Sequence, residues 1–143
     1  MKEVHLSKTR SIPYEDHSNF RKHLHLIYLE RSPGHCTMAC EITEEFLNNG
    51  GSAHGGVLLT LADHCIGTCF AGRPDGASYV TTDLHYRFLG PAEKGDLVIC
   101  KGEVVRAGGH LLIGSCTLSV QDRLIGTADA QYYVLDPDQK KEG

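Results

Sequence analysis

NNGGSAHGGVLLTLADHCIGTCFAG, residues 48–72, decides the fold, because it contains the one long helix that the sequence predicts. From Gly55 to about Ala71 the chain is long enough for roughly four to five turns of α-helix, and Gly72 followed by Arg73-Pro74 ends it. Apolar side chains fall on nearly every side of this helix, a pattern typical of a helix that is buried all round. We therefore expect other parts of the chain to wrap around it.

The segments on either side of the helix alternate between β-type runs and turns. Before it, IYLERS (27–32) and HCTMACEIT (35–43) meet at Pro33-Gly34 and predict a β-hairpin. After it, four strands are predicted, and the last three follow closely enough to form a meander: ASYVTTDLHYRF (77–88), DLVICKGEVVRA (96–107), HLLIGSCTLSV (110–120) and RLIGTADAQYYVL (123–135). The first of these four has a more apolar set, Val80, Thr82, Leu84, Tyr86 and Phe88, that alternates with a more polar set, Tyr79, Thr81, Asp83, His85 and Arg87.

An antiparallel sheet that curls around one central helix lets each cover the apolar surface of the other, so we predict an α+β hotdog fold. The helix is apolar on more sides than one sheet covers, which predicts at least a homodimer. A short peripheral amphipathic helix is predicted over 16–26, with Asp16 as its N-cap and Phe20, Leu24 and Ile27 on its apolar side. We expect one domain over 1–143, with a peripheral segment over 1–30 and a polar tail over 136–143.

Composition excludes several classes of protein. The formal net charge of -4 offers no electrostatic footprint for nucleic acid. No apolar run reaches the roughly 18 residues that span a bilayer, and MKEVHLSKTR lacks the apolar core of a signal peptide. We therefore expect a soluble cytoplasmic protein without a membrane segment. The spacing of the six cysteines matches neither a zinc knuckle nor a small disulfide framework, so we expect reduced, mostly buried thiols.

Asp63 is the one formally charged side chain between Phe46 and Gly72. On a helical wheel, its neighbours Gly56, Leu59, Thr60, Gly67 and Phe70 include no cation. An unpaired carboxylate is costly to bury, so Asp63 should accept hydrogen bonds from another element or face a cleft where it takes part in chemistry. The alternative is that Asp63 has only a structural role, with its carboxylate hydrogen-bonded by other groups.

The helix begins at His54-Gly55-Gly56, nine residues before Asp63. Backbone N–H groups at a helix N-terminus lack intrahelical partners and favour negative charge, so glycines there can let a substrate oxygen approach bare N–H groups, as in an oxyanion hole. Asn48 either donates to a carbonyl or a water, or only shapes the Asn49-Gly50-Gly51 turn. Thr81 offers a hydroxyl on the polar side of its strand, although most strand threonines simply suit β geometry.

The series Asn48, Gly51, His54-Gly55-Gly56 and Leu61-Ala62-Asp63 resembles the hotdog-fold acyl-CoA thioesterases of the PaaI-like and 4-hydroxybenzoyl-CoA types. The resemblance continues through TTDLHYRFLGPAEKGD and VVRAGGHLLIGSCTLSV and covers about residues 35–134. It implies hydrolysis of an acyl-CoA thioester to a carboxylic acid and CoA, with no cofactor apart from the CoA of the substrate. It also implies a dimer or a dimer of dimers.

The resemblance assigns roles to individual residues. Asp63 would be general base or nucleophile, the Gly55 N–H would hold the thioester oxygen, Asn48 would assist substrate or water, and a hydroxyl at Thr81 would position the water. Asn48 and Gly55 of one subunit would face Asp63 and Thr81 of the other. The remaining substrate-binding residues implied are His54, Gly56, Phe88, Gly90, Arg106, Gly108, Gly109 and His110.

Several side chains near these segments have competing interpretations. Arg87, Lys94, Lys101 and Arg106 are candidates for CoA phosphates, or are simply solvated basic residues. Cys65 and Cys69 are one helical turn apart and could bind a metal with His64 or His54, but core thiols are the better interpretation, and no metal is predicted. His64 has no assigned role, because its side chain points about 100° away from that of Asp63.

Two other function classes stay open at this stage. A non-catalytic module that binds acyl-CoA or an acyl carrier would use the same cradle without cleaving the thioester. An enoyl-thioester hydratase or dehydratase would need a histidine paired with an acid, and Asp63 has no evident histidine partner in the sequence.

Overall fold

The computed structural model describes residues 11–14 and 16–136. Its elements are α1 (Asn19–His23), β1 (Ile27–Ser32), β2 (His35–Glu41), a 3₁₀ turn (Glu44–Phe46), α2 (Gly55–Thr68), β3 (Tyr79–Phe88), β4 (Leu97–Ala107), β5 (Leu111–Val120) and β6 (Arg123–Val134). MKEVHLSKTR and the tail beyond residue 136 lie outside the described residues. The single domain over 1–143 therefore stays a prediction.

The strands form one antiparallel sheet in the order β1-β2-β4-β5-β6-β3. The predicted hairpin is confirmed as β1 and β2, which turn at Gly34, where φ is +80° and a side chain would be strained. The predicted meander is confirmed as β4, β5 and β6, paired in sequence. β3 returns to the far side of β6, so the strand after the helix is an edge strand.

The long helix α2 lies against the sheet, which curves around it, and supplies the centre of the core. Its fully covered side includes Leu61, Ala62, Cys65 and Ile66. The prediction that α2 is buried on every side is wrong within a single chain. One stripe of the helix is half-buried or exposed: Gly56, Leu59, Thr60, Asp63, His64 and Gly67. The sheet covers one side of the helix, and the uncovered stripe carries the carboxylate.

The N-terminal helix differs from its prediction. It covers only Asn19–His23, and its N-cap is Ser18, whose hydroxyl accepts from the Arg21 N–H at 3.2 Å. Asp16 is therefore not the cap, Ile27 belongs to β1, and Phe20 is 59% exposed instead of packing inward. Five residues form too short a helix for an apolar face to develop, so contacts with the body of the protein decide where this segment lies.

Gly114 on β5 packs directly against Ile66 of α2. A Cβ there would lie 2.6 Å from Ile66 Cγ2 and 3.0 Å from the Glu103 carbonyl oxygen. Because Ile66 is fully buried and Glu103 presents backbone, neither has room to move, and we expect Gly114→Ala to lower the free energy of unfolding by about 1–3 kcal/mol. Urea unfolding measures this difference.

Gly109→Ala is the matched control for that substitution. A Cβ at Gly109 would meet nothing within 4 Å, so its free energy of unfolding should change by less than about 0.5 kcal/mol. Equal stability of the two variants would contradict the close contact between α2 and β5.

Candidate active site

Asp63 is held by hydroxyl groups from two strands. Its Oδ1 accepts hydrogen bonds from Thr81 Oγ1 and from Tyr132 Oη, each at 3.0 Å. Tyr132 Oη also lies 2.8 Å from the backbone oxygen of Asp63, so its single proton is shared between this oxygen and Oδ1. Burial, reinforced by the negative charge of Asp63, raises the pKa of Tyr132 well above its usual range, so its hydroxyl stays a donor. The carboxylate is thus bonded from other elements, as its apolar sequence surroundings require.

A bulge in β3 puts Thr81 on the side of the sheet that faces the helix. The pairing of β3 with β6 shifts between Thr81 and Asp83, so that Thr82 is the extra residue. Thr81 bonds to Asp63, and beyond the bulge Leu84 and Tyr86 pack against the same core. The predicted regular alternation along this strand is therefore wrong, and Thr81 shares the inner side instead of lying on the polar one.

Asp63, Thr81 and Tyr132 line one side of a cavity of about 300 Å³. Its other walls come from the N-terminal segment, β1, the second half of α2 and the start of β3: Tyr14, Asp16, Tyr28, His64, Gly67, Thr68, Ala71 and Tyr79. A larger groove of about 470 Å³ crosses β1, β2, β4 and β5, and Lys101 is the one predicted candidate among its lining residues. The smaller cavity is the candidate site, because it contains the held carboxylate.

A second polar cluster closes the far side of this cavity. Asp16 binds the Tyr28 hydroxyl, Arg21 Nε at 2.9–3.0 Å and His64 Nε2 at 3.1 Å. Burial alone would raise the pKa of Asp16, but the hydrogen bonds from Tyr28, Arg21 and His64 outweigh it and hold that pKa well below its usual range. His64 therefore pairs with Asp16 and not with Asp63, a contact between positions 48 residues apart that spacing does not indicate.

The start of α2 presents one uncommitted backbone donor. His54 is the N-cap, with φ -60° and ψ 135°, and its Nδ1 accepts from the Gly56 N–H at 2.8 Å. Within residues 11–14 and 16–136, no group accepts from the Gly55 N–H. The Phe88 ring lies beside it, since a Cβ on Gly55 would be 3.0 Å from Phe88 Cζ. The Gly55 N–H is thus available to an oxygen of a ligand, while the His54 ring accepts the hydrogen bond from the Gly56 N–H.

Asn48 organises the turn that leads into the helix. Its Oδ1 accepts from the N–H groups of Gly50 at 2.8 Å and Ser52 at 3.1 Å, and its Nδ2 lies 3.3 Å from Ser52 Oγ. Asn48 is exposed, and one N–H of its amide is left over to donate. Its part in binding substrate or water stays a prediction beside this turn-forming role.

Gly55 and Asp63 are too far apart to act on the same atom within one chain. Eight positions along a helix correspond to an axial separation of about 12 Å. The residues of the sheet next to Gly55 and Asp63 are likewise at opposite ends of β6. Phe88 pairs with Gly126 at the Gly55 end, whereas Leu111 pairs with Tyr133 at the Asp63 end. The turn over 106–110 therefore lies at the end near Tyr132, and the segment 88–90 at the opposite end.

The predicted CoA segments are tight turns in the structure. Gly90 donates to the Ile125 carbonyl at 3.2 Å, and Gly108 donates to the Leu111 carbonyl at 2.9 Å. His110 stacks on Tyr133 with 6.0 Å between the rings, while Arg106, Gly109 and Arg87 are exposed. Lys94 is paired with Glu44 at 2.8 Å. Arg123 was not among the residues predicted from the sequence. It lies over the segment that contains Gly90 and donates to the Pro91 carbonyl at 2.8 Å.

The cysteines are free and buried, and those on α2 bond to backbone carbonyls. Cys65 Sγ lies 3.3 Å from the Cys36 oxygen, and Cys69 Sγ lies 3.4 Å from the Cys65 oxygen. Burial raises the pKa of Cys69 to about 12, so this thiol is protonated at neutral pH. The described part of the chain holds no group of three or more His, Cys, Asp or Glu residues arranged to bind a metal.

Residues 50–126 match the family model of the thioesterase superfamily. The chain belongs to this superfamily. A putative esterase of Pseudomonas aeruginosa is 34% identical to it over 98 residues, which cover 68% of this chain and 73% of that protein. Human acyl-coenzyme A thioesterase 13 is 28% identical over 102 residues, or 71% of this chain and 73% of the relative.

Solved structures place this superfamily member among hotdog folds. The E. coli PaaI protein from the phenylacetic acid degradation operon superposes with a TM-score of 0.78 at 20% identity, over 83% of this chain and 86% of that one. A Streptococcus mutans protein with acetyl-CoA bound gives 0.71 at 25% identity, over 76% and 86%. The predicted hotdog fold and family resemblance are confirmed. No helix in the described part of this thioesterase-superfamily chain is long and apolar enough to cross a membrane.

Proposed function

We propose that the protein hydrolyses an acyl-CoA thioester to a carboxylic acid and CoA, with Asp63 as general base or nucleophile. The observation that carries the proposal is a half-buried carboxylate held by Thr81 and Tyr132 at the side of a cavity of about 300 Å³. Relatives named acyl-coenzyme A thioesterase and a fold neighbour with bound acetyl-CoA support the substrate class. The proposal needs no metal and no cofactor beyond the CoA of the substrate.

The chemistry needs a polarised carbonyl and an attacking oxygen. The Gly55 N–H, at the positive end of the α2 dipole, would donate to the thioester oxygen and stabilise the negative charge that develops there. Asp63 would then either take a proton from a water that attacks the carbonyl carbon, or attack it directly to give an anhydride that water hydrolyses. In both routes the carbon–sulfur bond breaks and CoA leaves as a thiolate.

The separation of about 12 Å between Gly55 and Asp63 along one helix leads us to propose that each site forms between two copies of the chain. Thr81 lies beside Asp63 and Phe88 beside Gly55, so a site that joins the two needs Thr81 of one copy close to Phe88 of the other. If β3 pairs antiparallel with its own copy, and Thr82 is skipped as the extra residue of the bulge, this contact sets His85 opposite His85 of the copy. The two-fold axis then passes between the two His85 positions.

This register also suits the surface of β3. Within the described residues β3 is an edge strand, and Val80, Phe88 and Leu89 are 45%, 54% and 50% exposed. Long apolar edge strands tend to pair with another chain. In the proposed dimer, Val80 of one copy lies opposite Leu89 of the other, so the exposed apolar side chains at both ends of β3 are covered.

The same dimer would unite the predicted CoA segments. Arg106, Gly108, Gly109 and His110 lie at the Asp63 end of one copy, and Phe88 and Gly90 lie at the Gly55 end of the other. Arg106 is exposed and available to a CoA phosphate, whereas Lys94 is already paired with Glu44. A further pairing of dimers into a tetramer, and a cytoplasmic location, stay predictions.

The test is thiol release from a panel of short-chain, medium-chain and aromatic acyl-CoAs. We expect turnover with at least one of them, and the panel also identifies the acyl group. A rise in melting temperature with acyl-CoA but no thiol release would favour a binding module instead. Because His64 is paired with Asp16, the panel includes crotonyl-CoA, where a change in absorbance without thiol release would favour a hydratase.

A further inference from the structure

We propose that Tyr132 is a positioning residue for Asp63, and that Tyr132 and Thr81 together hold Oδ1 so that Oδ2 is the oxygen that reacts. Both hydroxyls lie 3.0 Å from Oδ1, and no described residue donates to Oδ2. The inference rests on the proposed function, because it concerns how Asp63 is prepared for hydrolysis. It adds a residue that the family motif in the sequence does not include.

The backbone aims Tyr132 at the carboxylate. Tyr132 on β6 pairs directly with Thr81 on β3, just before the bulge, so the two donors come from adjacent strands at the same level. The ring passes over Gly67, where a Cβ would lie 3.4 Å from Tyr132 Cε2. A glycine one turn after Asp63 therefore leaves space for the ring to reach the helix.

Neighbouring rings keep Tyr132 in this position. The ring centres of Phe70 and Tyr79 lie 5.7 Å and 5.9 Å from that of Tyr132, which is 3% exposed. Packed aromatic rings at these separations are well ordered. The hydroxyl therefore reaches the carboxylate from a fixed direction, which a water or a surface side chain would not provide.

The two donors have a chemical consequence for Asp63. Hydrogen bonds from two fixed donors hold the carboxylate in one orientation, and both general-base and nucleophilic catalysis need the reacting oxygen in place. Oδ1 is occupied, so the lone pairs of Oδ2 are left for a water or for the thioester carbon. Thr81 would then act mainly through the carboxylate, and not by holding water as the family resemblance implies.

Other titratable groups surround the same cavity. They are His64 on α2, Tyr28 on β1, Tyr79 on β3, and Tyr14 and Asp16 in the N-terminal segment. Asp16 is a second negative charge, tied to His64 at 3.1 Å. Because Tyr132→Phe leaves all of these groups in place, its difference from wild type reports on the Tyr132 hydroxyl.

The test is the effect of Tyr132→Phe on kcat and on KM with the best acyl-CoA of the panel. kcat should fall roughly ten-fold while KM changes less than about two-fold, since the interaction serves the chemical step. Thr81→Val, which removes the other donor, should also lower kcat more than it changes KM.

Tyr79→Phe is the matched control, because it removes a hydroxyl that also bonds to α2 but not to the carboxylate. Tyr79 Oη donates to the Gly67 carbonyl at 2.7 Å. A kcat that stays within about two-fold of wild type in Tyr132→Phe, or that falls equally in Tyr79→Phe, overturns the inference. If Asp63→Asn is inactive in that case, the proposed function survives; if Asp63→Asn is fully active, both fail.

Discussion

Asp63→Asn is expected to lower kcat/KM for acyl-CoA hydrolysis by at least about 100-fold, because an amide neither accepts a proton from water nor attacks a thioester effectively at neutral pH. The amide oxygen can still accept from Thr81 and Tyr132, so the fold and substrate binding should persist. KM should therefore change little while kcat falls. Initial rates of thiol release, measured with the panel's best substrate, give both constants.

Asp122→Asn is the control for this substitution, because it changes the same chemical group on the exposed turn between β5 and β6. Its rate should stay within about two-fold of wild type, as expected for a surface change away from the site. An unchanged melting temperature for both variants confirms that folding is intact. Equal rates for wild type and Asp63→Asn would remove Asp63 from the mechanism.

Gly55→Pro is expected to lower kcat by about 100-fold or more, because proline removes the one N–H proposed to hold the thioester oxygen. Proline is well suited to the first position of a helix, and the preceding residue must be extended. His54 already has φ -60° and ψ 135°, so the helix should form as before. The substitution thus removes a single donor with little change to the backbone.

Gly55→Ala is the matched control, because it adds a Cβ and retains the N–H. Both variants place a Cβ about 3.0 Å from Phe88 Cζ, and this half-exposed ring can move aside. We expect alanine to cost less than about ten-fold in kcat, in contrast to about 100-fold for proline. Equal losses would assign the effect to crowding at Phe88 and not to the backbone donor.

Mixing the two inactive variants tests the site between subunits. In a dimer of Asp63→Asn with Gly55→Pro, one site carries both changes, and the other combines an intact Asp63 with an intact Gly55. Random reassociation should therefore recover about one quarter of the wild-type rate, because half of the dimers are mixed and each has one intact site. A mixture as inactive as its components would contradict a site formed between two subunits.

The central helix and the strand order next to it could be read from local patterns. Three predictions depend only on neighbours in sequence, and all three are confirmed: α2 from Gly55 through its middle, the hairpin at Pro33-Gly34 and the β4-β5-β6 meander. The prediction of the short helix before β1 was wrong in its extent and in its N-cap. Its apolar pattern is weak, and Asp16 is drawn away to Tyr28 and His64, contacts that no local rule predicts.

The sequence by itself determined the fold family and placed a carboxylate on the helix, because helical periodicity, turn residues and a short motif are local properties of the chain. Only the tertiary structure decided what holds that carboxylate. The β3 bulge turns Thr81 inward, and strand pairing brings in Tyr132 from 69 positions along the chain. Bulges and long-range register depend on the packing of the whole sheet around α2, which no single segment encodes.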